Sequence, residues 1–181
     1  MNFIKTELED CYIIEPKVLT DQRGYFFEAY NKDIFEKSTG LKVDFVQDNQ
    51  SYSSKAVLRG LHAQKGEFAQ AKLVRVLSGE VLDVAVDARP ESKTYGKHIA
   101  VILSAENKKQ LFVPRGFLHG FVVLSNTAEF SYKCDNFYHK EAECGVKYND
   151  PTLNINWILP EDTLIISDKD AILPSFKEVF G

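Results

Sequence analysis

The chain has 181 residues, 44% hydrophobic and 27% charged, with a formal net charge of −4. That is enough apolar material for one well-buried core and short for two, so a single domain over residues 1–181 is expected. The acidic balance argues against nucleic acid or an anionic membrane as partner, and neither a signal peptide nor an apolar run of about 18 residues is present, so a cytoplasmic location is expected.

In chain order, the first periodic segment is 31–40, Asn-Lys-Asp-Ile-Phe-Glu-Lys-Ser-Thr-Gly, with a capping asparagine at one end and glycine at the other, which predicts a helix. Strand-like segments follow: Arg59-Gly60-Leu61-His62-Ala63-Gln64, then 72–76, then the alternating runs 82–87, 99–103 and 130–134. Gly24, Gly60, Gly66, Gly79, Gly96, Gly116 and Gly145 are read as turn positions between strands. Residues 174–179 predict a short closing helix. Cys11, Cys134 and Cys144 are odd in number and lack CxxC spacing, which fits structural thiols rather than disulfides or a zinc knuckle. The pattern as a whole predicts an all-β protein, a jelly-roll β-barrel with a few short peripheral helices.

Period two assigns side chains to faces. Lys72 falls with Val74 and Val76, Tyr132 with Phe130 and Cys134, and His62 with Gly60 and Gln64. An ammonium, a phenol and an imidazole are thus expected to face one interior. Any one of them alone is more often a satisfied core residue than a catalyst; their convergence points to chemistry.

Pro114-Arg115-Gly116-Phe117-Leu118-His119 carries the PxGxxH spacing of the second cupin motif, and the segment from Arg59 to Gly79 stands where the first would be. Metal-binding cupins take an HxH pair there, because a catalytic metal needs three or more ligands. Position 64 is glutamine, leaving at most two histidines. A metal-free barrel of cupin type is expected, with His62 serving in proton transfer.

The ordered set Asp21-Gln22-Arg23-Gly24-Tyr25-Phe26-Phe27-Glu28, Gln47-Asp48-Asn49-Gln50-Ser51, Arg59-Gly60-Leu61-His62, the Lys72 strand, Pro114 to Phe121, Tyr132-Lys133, Asn149-Asp150-Pro151 and Ser167-Asp168-Lys169-Asp170 resembles the dTDP-4-dehydrorhamnose 3,5-epimerase family, from about residue 10 to residue 175. The resemblance implies a substrate, dTDP-4-dehydro-6-deoxy-D-glucose, whose C4 ketone acidifies the hydrogens at C3 and C5. It implies no cofactor. By the same resemblance His62 is the base, Asp170 its orienting carboxylate, Lys72 the cation beside the enolate oxygen and Tyr132 the proton donor from the other face. Arg23, Arg59 and Lys169 match the phosphate and nucleotide contacts, and Glu28, Gln47 and Asn49 match contacts to the thymine and its surroundings. Tyr138 is matched to stacking on the base, His119 to a sugar contact and Glu143 to a further binding position. Family members are homodimers whose N-terminal segment crosses to the partner's site. An epimerase of C3 or C5 alone, a 3,4-ketoisomerase and a non-catalytic sugar-nucleotide-binding cupin stay open as alternatives.

Overall fold

Three apolar clusters separated by two sheets organise the computed structural model, which describes residues Met1–Gly181. The strands are β1 (Asn2–Lys5), β2 (Tyr12–Glu15), β3 (Leu19–Asp21), β4 (Gly24–Phe26), β5 (Gln47–Ser54), β6 (Val57–Gln64), β7 (Lys72–Ser78), β8 (Glu80–Asp87), β9 (His98–Ser104), β10 (Gln110–Val113), β11 (Phe117–Val123), β12 (Thr127–Cys134), β13 (Glu143–Gly145) and β14 (Ile165–Ile166). The helices are α1 (Lys32–Thr39), α2 (Asp168–Ala171) and α3 (Phe176–Phe180). One sheet runs β1-β2-β10-β7-β12-β5 and the other β13-β6-β11-β8-β9, with β14 added in parallel to β6. Facing each other, they form the expected cupin-type jelly roll. No helix is long and apolar enough to cross a membrane.

Alternation along the strands decides which cluster each side chain joins. On β8, Val81 and Ala85 enter the lumen between the sheets, while Leu82, Val84 and Val86 enter the cluster behind the second sheet. On β7, Val74 and Val76 face the lumen and Leu73 faces outward, under α1. The α1 helix forms where the sequence supplies its caps. The Asn31 side chain accepts the Ile34 N–H at 3.2 Å, and left-handed Gly40 donates its N–H to the Glu36 carbonyl at 2.8 Å. Its buried Phe35 meets Phe112 edge-on, with ring centroids 4.9 Å apart.

The C-terminal third covers the back of the second sheet with Val146, Leu153, Trp157 and Phe176. Buried Asp150 ties this segment together, accepting the N–H groups of Thr152 (2.9 Å), Leu153 (3.1 Å) and Phe176 (2.8 Å). The closing helix starts at Phe176, under a Ser175–Glu178 capping box.

Two of the glycines read as turns are not turns. Gly60 lies inside β6 and Gly145 inside β13. Both are sites of close backbone approach: a Cβ on Gly60 would lie 2.6 Å from the Gly120 Cα, and one on Gly145 would lie 2.7 Å from the Leu61 carbonyl oxygen. Outside both sheets, β3 and β4 form a separate hairpin whose Leu19, Tyr25 and Phe26 side chains are exposed.

Candidate active site

A cavity of about 600 Å³ opens between the two sheets. His62, Lys72, Tyr132 and Asp170 all line it, together with Asn49, Arg59, His119 and Lys169. The walls differ: β7 and β12 of one sheet supply Lys72 and Tyr132, and β6 and β11 of the other supply His62 and His119. An object held in the cavity therefore meets the imidazole on one side and the phenol on the other.

A local irregularity in β6 explains why Arg59 and His62, three residues apart, share this wall. Strict alternation puts them on opposite faces. Between the pairs His62–His119 and Arg59–Phe121, β6 advances three residues while β11 advances two, a bulge centred on Gly60. Before it, Val57 and Arg59 face the lumen and Leu58 the outer cluster; after it, Leu61 takes the outer position and His62 the inner one.

His62 is held by a carboxylate 108 residues away in the chain: its Nε2 lies 2.7 Å from the Asp170 Oδ1. A carboxylate only accepts, so Nε2 donates and Nδ1 keeps the lone pair. The other Asp170 oxygen accepts the Gly60 N–H at 3.3 Å. What delivers Asp170 is the parallel pairing of β14 with β6, followed by α2, whose cap Ser167 accepts the Asp170 N–H at 3.1 Å. The side chain of Asp170 is 5% exposed and that of His62 30% exposed.

Lys72 reaches within 5.7 Å of the Tyr132 ring centroid and pairs with no carboxylate of the chain. Burial pulls its pKa below the ordinary 10.5, with Cys134, Asp83 and Glu143 opposing that shift. Burial and the neighbouring Cys134 push the Tyr132 phenol above 10.0, against the pull of Arg59, so it stays protonated at neutral pH. Arg59 donates from Nε to the Ser53 Oγ at 3.1 Å and also lacks an ion-pair partner, leaving two cationic side chains of the cavity wall without a carboxylate partner.

His119 belongs to a second pair, which sequence reasoning missed. Its Nε2 lies 3.1 and 3.0 Å from the two oxygens of Asp83, a fully buried carboxylate on β8. The available signal was an acid in the inward register of an otherwise apolar strand, Val81-Leu82-Asp83-Val84-Ala85. Phe130 stacks on Phe121 with centroids 4.2 Å apart and packs near His119 at 6.0 Å, and both phenylalanines line the cavity.

The remaining sequence-selected residues fall in two places. Gln47, Tyr138 and Glu143 form a rim beside the cavity rather than its lining. The Tyr138 hydroxyl donates to Glu143 at 2.9 Å, Lys169 Nζ donates to Glu143 at 2.7 Å, and the Gln47 Oε1 accepts the Tyr138 N–H at 3.3 Å. Burial raises the Glu143 pKa, but the Lys169 and Tyr138 hydrogen bonds outweigh it and hold the group below its usual value. Arg23 and Glu28 lie elsewhere, on or just after the exposed β3–β4 hairpin. Arg23 pairs with Asp21 at 2.6 Å, and Glu28 accepts from the Asn31 side chain at 3.1 Å. Neither lines this chain's cavity. No group of three or more His, Cys, Asp or Glu side chains is arranged to hold a metal ion.

Comparison with known proteins gives concordant matches. A family profile described as dTDP-4-dehydrorhamnose 3,5-epimerase matches residues 5–178. The dTDP-4-dehydrorhamnose 3,5-epimerase of Escherichia coli K12 is 54% identical over 180 residues, covering 99% of this chain and 96% of that protein. The crystal structure of the enzyme of that name from Elizabethkingia anophelis superposes with a TM-score of 0.97 at 61% identity, covering 100% of this chain and 99% of the other. A Legionella pneumophila 3,5-epimerase, solved with dTDP-4-keto-L-rhamnose, superposes with a TM-score of 0.93 at 49% identity, covering 97% of this chain and 93% of that one.

Proposed function

The chain belongs to the dTDP-4-dehydrorhamnose 3,5-epimerase family, and from that premise we propose how its own residues carry out the epimerisation of a dTDP-4-dehydro-6-deoxy sugar. Inverting a carbon next to a ketone needs a proton removed from one face of the ring and one returned to the other. His62, held as the Nε2–H tautomer by Asp170, takes the proton from C3 or C5 at Nδ1, and the C–H electron pair moves into the C4 carbonyl. Lys72 stabilises the oxyanion that forms, an interaction stronger with the enolate than with the neutral ketone. Tyr132 returns a proton from the opposite side. Each inversion leaves one proton on His62 and removes one from Tyr132, and exchange with water resets both. No metal or cofactor enters this sequence.

The observation that carries the reading is the placement of His62 and Tyr132 on opposing sheets of one cavity, with Lys72 beside Tyr132. The unpaired guanidinium of Arg59, with Lys169 at the rim, suits the pyrophosphate. Incubation with dTDP-4-dehydro-6-deoxy-D-glucose in heavy water is expected to place deuterium at both C3 and C5. Label at one carbon would make the protein a mono-epimerase. Label at neither, with dTDP still bound, would make it a binding protein and sink the mechanism.

The active form is proposed to be a homodimer in which the β3–β4 hairpin carries Arg23 and Glu28 into the partner's cavity. The support is that hairpin: detached from both sheets, apolar at Leu19, Tyr25 and Phe26, and bearing residues that do not line their own cavity. Light scattering is expected to give twice the 20.6 kDa chain mass. Mixing inactive Arg23→Ala with inactive His62→Ala protein should restore part of the activity, because mixed dimers contain one intact site; no recovery after subunit exchange would exclude the crossed arrangement. The three cysteines, none in a disulfide, suit a reducing compartment, and the cytoplasm is the proposed location.

A further inference from the structure

Gln64 occupies the sequence position where a metal-binding barrel of this type carries its second histidine, and its side chain has a different task. It is 7% exposed and uses every arm of its amide on backbone. Its Nε2 donates to the Phe68 carbonyl at 2.7 Å and the Phe137 carbonyl at 3.2 Å, and its Oε1 accepts the His139 N–H at 2.6 Å. A neutral histidine offers one donor and one acceptor, and a carboxylate offers none of the donors, so neither replaces it.

Two of these three bonds reach residues 136–139, a segment outside both sheets, and the third holds Phe68, on which that segment rests. Two other glutamines reach the same segment: Gln70 donates to the Asn136 carbonyl at 2.8 Å, and Gln47 accepts the Tyr138 N–H. The His139 ring stacks on Phe68 with centroids 3.9 Å apart. Side chains thus do for this loop what a sheet ladder does for a strand, while two of its rings stand out in solvent: Phe137 is 65% exposed and Tyr138 56%. Tyr138 in turn holds Glu143, and Glu143 holds Lys169, the neighbour of Asp170.

We propose that Gln64 is a positioning residue for nucleotide binding, fixing the 136–139 loop so that its aromatic rings and the Tyr138–Glu143–Lys169 chain are preset at the cavity rim. The inference rests on the epimerase reading for the identity of the ligand. It acts on binding and leaves the proton-transfer groups in place, because His62, one residue-pair away on the same face, is oriented by Asp170 instead.

The test is the Gln64→Glu variant, which keeps the acceptor for the His139 N–H and loses both donors. The dissociation constant for dTDP and the KM for the dTDP-sugar are expected to rise about tenfold, the effect of losing one or two buried hydrogen bonds, while kcat changes by less than about threefold. Amide hydrogen exchange should speed up across 136–139 and not in β7 or β11. Unchanged dTDP affinity alongside faster loop exchange would overturn the proposal, as would a fall in kcat at constant KM. If the charged variant does not fold, Gln64→Leu keeps the volume without the charge and is read by the same criteria. Should the wild-type protein fail to bind dTDP at all, the functional reading falls, and loop exchange in the variant still decides whether Gln64 is the clamp.

Discussion

Two histidine–aspartate pairs stand side by side in this barrel, and they are built differently. His62 and His119 are direct partners across β6 and β11. The His62 side chain is 30% exposed to the cavity and meets one oxygen of an aspartate brought in from the far end of the chain. The His119 side chain is 8% exposed and meets both oxygens of Asp83, which has no exposure at all. Both imidazoles line the cavity, but His62 is the more open of the two, whereas His119 packs near Phe130, with ring centroids 6.0 Å apart. Under the proposed mechanism like chemistry serves unlike tasks, proton transfer at His62 and a sugar contact at His119, and the difference lies in exposure rather than in residue type.

The sharpest way to break that comparison is to remove each imidazole in turn. His62→Ala is expected to lower kcat by about 10³- to 10⁴-fold, the upper range for losing a positioned general base. His119→Ala should raise KM by about tenfold and leave kcat within about tenfold, as for a lost contact rather than a lost base. Loss of solvent deuterium exchange at C3 and C5 in the first variant and its retention in the second are the measurements to make. Equal losses of kcat and of exchange would mean that both histidines take protons.

The two pairs were also unequally visible in the sequence, for physical reasons. Lys72 and Tyr132 could be put on an interior face because β7 and β12 alternate around them, His62 because the strand alternates locally after the bulge at Gly60, and α1 could be bounded because Asn31 and Gly40 are cap residues wherever they occur. Asp170 was found by resemblance alone. Nothing local signals that a loop acid in Ser167-Asp168-Lys169-Asp170 will be carried 108 residues back to His62, since the two-residue strand β14 that brings it has no periodicity to detect. Asp83 is harder to read, because an acid in an alternating strand looks like a solvent-facing one until the opposite sheet is seen to cover the face it shares with Val81 and Ala85. The bulge at Gly60 is likewise a pairing event: the glycine was legible, but its reading as a turn failed because what it accommodates is the backbone of Gly120 rather than a chain reversal.

The smaller and more discriminating test concerns charge. Burial depresses the pKa of Lys72, and Asp83 is one of the anions that partly restore it. If the ammonium form of Lys72 stabilises the enolate, activity is lost as pH rises through its folded-state pKa, which lies below the ordinary 10.5. Asp83→Asn removes an anion from its surroundings while keeping a hydrogen-bonding group beside His119. The folded-state pKa of Lys72 must then fall further, and the alkaline limb of the kcat profile should move to lower pH, by roughly half to one unit for a charge of this kind in a site screened as proteins usually are. A shift of the alkaline limb toward higher pH would mean that Asp83 does not act on Lys72 as an anion.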